Sequence, residues 1–174
     1  MSFSGKRYWI IGASEGLGRA ICEKLAAKGA VLALSARSED RLRELADSLP
    51  GGASVHPMDV TDADAVAQAA RDVGEIDGIV ILQGVYWPMR AGAFDAEKVA
   101  AMFDVNLTGT ARVLAHVVPD FVRRDTGHIV LTGSLSGFRG SCQPSIFFGN
   151  AGRSSSGPRG APASAHAISV SISS

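Results

Sequence analysis

Short apolar runs alternate along the chain with amphipathic stretches, and each change of period marks a change of element. Residues 7–12 (RYWIIG) read as a strand closed by glycine, and 31–36, 53–56, 79–82 and 128–132 read as four more. The run IVIL at 79–82 is apolar at every position, as a strand covered on both faces requires. Helical segments lie between them. Ala20, Ile21, Leu25 and Ala26 share one face of the first, which stops at Lys28-Gly29. Ser38 stands where it would cap the second, with Glu39 and Asp40 in the first turn and Pro50-Gly51-Gly52 after its end. Thr61 and Asp64 make an approximate capping box for a third helix over 62–73. Two further helical stretches, about 96–103 and 107–124, precede the fifth strand. This alternation predicts an α/β protein: a doubly wound parallel sheet of order 3-2-1-4-5 in three αβα layers. Residues 167–172 (AISVSI) alternate as a strand does and are a candidate sixth.

Composition narrows the functional classes. Lysine and arginine number 17, as do aspartate and glutamate, so no basic excess exists to neutralise a nucleic-acid backbone. No apolar stretch is long enough to span a membrane, and the first strand begins too early for a signal peptide, so a cytoplasmic protein is expected. Cys22 and Cys142 are too few for a disulfide framework and stand in no metal-ligand spacing. From Thr126 onward there is no Asp, Glu, Lys or Tyr, and residues 149–165 are rich in Gly, Ser, Pro and Ala. The chain therefore divides into residues 1–140, a nucleotide-binding unit, and 141–174, an aberrant segment ending in the candidate strand.

The candidate chemistry begins at Gly12-Ala13-Ser14-Glu15-Gly16-Leu17-Gly18, between the first strand and the first helix. Glycines there let backbone amides approach a diphosphate, and the helix N-terminus adds free N–H donors and a positive dipole end. A P-loop is excluded, because Gly18-Arg19-Ala20 lacks the Gly-Lys-Ser/Thr that such a loop requires. A methyltransferase is disfavoured, since its acidic ribose ligand after strand two is missing. The remaining reading is a Rossmann-type dinucleotide site at the carboxyl ends of the strands.

The glycine turn at 12–18, Asp59-Val60 after strand three, Val105-Asn106-Leu107-Thr108-Gly109 and His128-Ile129-Val130-Leu131-Thr132-Gly133-Ser134 follow in order. Together they resemble the short-chain dehydrogenase/reductase family over residues 1 to about 140. The resemblance implies that Asp59 bonds the adenine amino group and that Val60 packs on the ring or donates its N–H. Gln83 and Gly84 would pass close to the cofactor ribose, although the family's Asn-Asn-Ala-Gly reads Ile81-Leu82-Gln83-Gly84 here. Ile11 likewise replaces a threonine.

An NAD-binding domain usually carries a carboxylate near the end of strand two; here stand Ala36 and then Arg37. A guanidinium can pair with a 2′-phosphate that a carboxylate would repel, so NADP(H) is expected over NAD(H). Glu15 is the counter-signal, since NADP(H)-preferring relatives often carry Lys or Arg there.

The family moves hydride between nicotinamide and a carbonyl or alcohol substrate, using Tyr, a Lys four residues later, Ser and Asn. Ser134 and Asn106 match the last two. The Tyr and Lys positions fall on Phe147 and Ala151, which can neither exchange a proton nor depress a neighbour's pKa. His116 and His128 are weak substitutes. The family's dimer helix carries the same Tyr and Lys, so homo-oligomerisation loses its usual support. Two readings follow. One is a short-chain oxidoreductase whose sequence departs from its family after residue 140, through frame shift, truncation or misassignment, leaving this chain weak or inactive. The other is a non-catalytic NADP(H)-binding sensor or partner-binding pseudoenzyme.

Overall fold

The computed structural model describes residues 2–134 and 165–173. The elements run β1 (Arg7–Ile11), α1 (Gly16–Ala26), β2 (Val31–Ser35), α2 (Glu39–Ser48), β3 (Ser54–Val55), α3 (Ala63–Val73) and β4 (Gly78–Ile81). After a single 3-10 turn come α4 (Ala96–Phe103), α5 (Gly109–Arg124), β5 (Thr126–Ser134) and β6 (Ala165–Ser173). The sheet order is β3-β2-β1-β4-β5-β6. The first five strands are parallel, as the alternation predicts, whereas β6 runs antiparallel to β5 over nine paired residues, Thr126 to Ser134.

The apolar runs are continuous because both faces of the sheet are covered. Successive residues of β1 point to opposite sides. Trp9 and Ile11 join Ile79, Ile81 and Ile129 under α3 and α5, against Val66, Val113 and Phe121. Tyr8 and Ile10 join Leu32, Leu34 and Val80 under α1 and α2, against Cys22, Leu42 and Leu45. Two apolar layers on one sheet give the three-layer αβα sandwich.

Several local expectations change. The buried face of α1 is Gly18, Cys22 and Ala26, while Ala20 is exposed. The thiol is the apolar filler on that face, and burial pushes its pKa up to about 12. The cap of α3 is Asp62, not Thr61: the Asp62 carboxylate accepts from the N–H groups of Asp64 and Ala65. Ser38 holds the N-cap position of α2 but its hydroxyl makes no capping bond. The two helical stretches after β4 are one run, with helical dihedrals at Phe103, Asp104, Thr108 and Gly109, joined by a π turn at Asp104–Thr108. An added residue per turn is a common way to aim a side chain at a functional position. Asn106 sits in this turn.

Candidate functional site

The first crossover is shaped by close backbone approach. Gly12 has φ +84°, and a Cβ there would lie 2.8 Å from the Gln83 nitrogen on β4's carboxyl end. A Cβ on Gly18 would overlap the Gly12 carbonyl oxygen. Both positions therefore demand glycine, one for conformation and contact, the other for contact alone. The N–H groups of Gly12 and Ala13 both donate to the Ser35 carbonyl, at 2.8 and 3.2 Å, tying the turn to β2. Glu15 occupies the N-cap of α1 in extended conformation with no side-chain capping bond, and no acid stands in the first turn. The positive end of α1 is thus open toward an anion.

A cleft of about 560 Å³ opens over the carboxyl ends of β1, β2 and β4. Its wall includes Gly12, Ser14, Glu15, Leu17 and Gly18 from the turn, Ala36 and Arg37 after β2, Asp59 and Val60 after β3, and Gln83 and Gly84 after β4. Sequence spacing therefore brings together every expected nucleotide contact except Gly16, which holds the bend itself with φ +55°. Ser38, Arg41, Met58, Val85 and Val105 also line the cleft and were not anticipated. Arg41 had a readable signal, since it lies three residues past the Ser38 cap, in the first turn of α2.

Asp59 is held by its own turn. Its Oδ1 accepts from the N–H and hydroxyl of Thr61 at 2.9 and 2.8 Å. Burial pushes this carboxyl up, but the Thr61 hydrogen bonds and the charge of Arg37 outweigh it and hold the pKa below the ordinary value. Val60 is buried, and its side chain fills the place a Cβ on Gly109 would take. The Val60 carbonyl accepts from Arg112 at 3.2 Å, and the same Arg112 nitrogen reaches Asp104 at 2.8 Å. The β3 loop is thereby bolted to the π turn.

At the other end of the cleft, Asn106 is bonded at both polar side-chain atoms to Val85. Its Oδ1 accepts from Val85 N–H at 2.8 Å and its Nδ2 donates to the Val85 carbonyl at 2.9 Å. The Asn106 carbonyl accepts the Thr110 hydroxyl at 2.9 Å, and that hydroxyl accepts from Gln83 Nε2 at 3.0 Å. Asn106 therefore positions the loop after β4. The hydroxyl proton of Thr110 is used on Asn106, so Gln83 must present its amide nitrogen there, and its Oε1 is left buried without a partner.

Ser134 is the last residue of β5, at the cleft end of the sheet, paired in register with Ala165. Phe147 and Ala151 lie outside the described residues. The proposed histidine substitutes are elsewhere. His128 starts near the amino end of β5, where Nδ1 meets the Tyr8 hydroxyl at 2.9 Å, and burial lowers its pKa. His116 lines a separate cavity between α3 and α5. Lys98 pairs with Asp95 at the start of α4. Among the described residues no cluster suits a metal ion, and no helix is long and apolar enough to cross a membrane.

A glycine turn, an uncapped helix start and a basic second-strand tip, all at the switch point of a 3-2-1-4-5 sheet, define a Rossmann-type dinucleotide-binding protein. The short chain dehydrogenase family profile matches residues 6–147, and the chain belongs to that family. An uncharacterized oxidoreductase of Staphylococcus epidermidis is 37% identical over 133 residues, covering 74% of this chain and 58% of that protein. A 3-oxoacyl-[acyl-carrier protein] reductase from Brucella melitensis, solved with bound NAD, superposes with TM-score 0.75 at 26% identity, over 82% of this chain and 58% of that one. A gluconate 5-dehydrogenase from Burkholderia cenocepacia, solved with NADP and tartrate, gives 0.65 at 27%, over 72% and 52%. The chain thus spans a little over half the length of these relatives. The family uses nicotinamide cofactors, and two features here fit one: Gly12 and Gly18 let the turn's backbone pack too closely for any side chain, and the buried Gln83 Oε1 beside the cleft has no partner within the protein.

Proposed function

We propose that the chain binds NADP(H) in preference to NAD(H), and that it is the nucleotide-binding part of a short-chain oxidoreductase acting on a small carbonyl or alcohol substrate. The observation that carries this is Arg37, in the cleft beside Ala36, where an NAD-binding domain would place a carboxylate. Bound there, the nicotinamide supplies or accepts a hydride. Amides around Gly12–Gly18 would hold the diphosphate, Arg37 the 2′-phosphate and Asp59 the adenine edge. Asn106 would hold the Val85 loop in place beside the cofactor, and Ser134, at the end of β5, would hold the substrate's carbonyl oxygen.

In this reading the 174-residue chain is a weak catalyst or inactive, because Phe147 and Ala151 supply no general acid/base. The same substitution favours the second reading, a binding module without turnover. Calorimetric titration distinguishes the cofactors: NADPH is expected to bind at least about tenfold tighter than NADH, and Arg37→Ala to erase that gap. Equal affinities in the unaltered protein would refute the preference. Carbonyl reduction by the purified chain would exclude the non-catalytic reading.

A further inference from the structure

Two guanidinium groups line the adenosine end of the cleft, Arg37 just before the N-cap of α2 and Arg41 in its first turn. They are not equivalent. Arg37 makes no hydrogen bond or ion pair among the described residues, whereas Arg41 Nη1 lies 2.5 Å from Glu15 Oε2. That contact joins two residues of the cleft wall, from the N-cap of α1 to the first turn of α2. Both partners are well exposed, Arg41 at 55% and Glu15 at 74% of the side chain. An exposed ion pair of this kind is weak and yields to a stronger anion.

We propose that Glu15 and Arg41 form a charge latch that sets how strongly this cleft prefers a 2′-phosphate. The inference rests on the reading that the cleft takes an adenine nucleotide. A ligand ending in a 2′-hydroxyl brings no charge to compete with Glu15, so the latch stays closed and Arg41 contributes nothing. A 2′-phosphate is close to a dianion near neutral pH and can take Arg41 from a monoanionic carboxylate. Arg41 then becomes the second cation beside Arg37, and Glu15 is released to water. The acidic residue at position 15 thereby tempers a preference it does not reverse. This accounts for a glutamate on the phosphate turn of a cleft that is otherwise basic at the β2 tip.

The test uses the full chain and two small probes, adenosine 2′,5′-bisphosphate and adenosine 5′-monophosphate, titrated by calorimetry. The readout is the ratio of the two affinities. Glu15→Gln is expected to raise the ratio, and Arg41→Ala to lower it, each by roughly threefold, the scale of one exposed charge pair. In the double variant the gain from Glu15→Gln should vanish, because it acts through Arg41. An unchanged or lower ratio in Glu15→Gln overturns the latch. So does a gain that survives the loss of Arg41, which would make Glu15 a plain repulsive charge. If Arg37→Ala lowers the ratio while both latch variants leave it alone, the latch fails and the NADP(H) reading stands. A wild-type chain that binds neither probe overturns both.

Discussion

The two ends of the cleft are built by different means. The end proposed for adenosine is assembled from local sequence: a glycine turn, a basic strand tip and an Asp59 turn closed within three residues by Thr61. The end proposed for nicotinamide is assembled from distant side chains, with Asn106 reaching 21 residues back to Val85 and Gln83 reaching 27 forward to Thr110. Backbone amides and a helix dipole can hold a diphosphate whatever happens elsewhere. Proton transfer needs particular side chains at particular atoms, and a group acting as a unit fails when one member goes. Under the proposed function, binding and turnover are therefore expected to separate along the boundary between local and long-range construction.

The largest expected effect breaks the local end. Gly18→Ala places a carbon against the Gly12 carbonyl, and backbone on both sides leaves nothing soft to yield. Loss of about 2–3 kcal/mol of stability is expected, at the upper range for overpacking, together with loss of measurable nucleotide binding. Thermal unfolding and calorimetry read the two effects. A variant that binds NADPH normally would mean the turn is not the cradle.

A smaller effect is expected at the long-range end. Asn106→Ala deletes both hydrogen bonds to Val85 and should cost about 1–3 kcal/mol, with fast amide exchange confined to the loop after β4. Affinity for adenosine 2′,5′-bisphosphate should change by less than about threefold, since the groups expected to hold its phosphates, Gly12–Gly18 and Arg37, make no bond to Asn106. A large loss of affinity for this probe would show that the two ends are coupled.

The same division explains what the sequence revealed. Five parallel strands, their order and eleven cleft-lining residues were legible because each is encoded by period, turn chemistry or a short spacing. The exposed Ala20 and the buried Cys22 were not, because helix rotation is set by what the sheet offers and alanine fits either side. The sequence breaks the helix at 104–106, where Asp104 and Asn106 have low helix propensity; bonds from Arg112 and Val85 hold those residues in a helical π turn. The sequence points to Thr61 as the cap of α3 and the structure has Asp62, a difference of one position that only dihedral angles decide. Arg41's partner lay 26 residues away and left no local trace.

The smallest expected effect compares two carboxylates at opposite ends of the sheet. Asp59 lies in the cleft; Asp77, beyond the amino ends of the strands, accepts from Lys6 at 2.7 Å and from Arg7 N–H at 2.8 Å. Burial pushes each carboxyl up, but hydrogen bonds and neighbouring cations prevail and hold both below the ordinary 3.8. A carboxyl depressed in the folded state binds its proton first in the unfolded chain. Its stabilisation is therefore complete above the unfolded value and is lost as pH falls through the folded one. The melting temperature should thus drop from about pH 5 downward, and Asp77→Asn should flatten that limb with no effect on nucleotide affinity. Asp59→Asn keeps the oxygen that accepts from Thr61 and removes only the charge that Arg37 feels. It should flatten the limb less, while removing the acceptor expected for the adenine amino group. If Asp59→Asn binds adenosine 5′-monophosphate as tightly as the unaltered chain, Asp59 serves the turn alone, and the adenosine end recognises phosphate without reading the base.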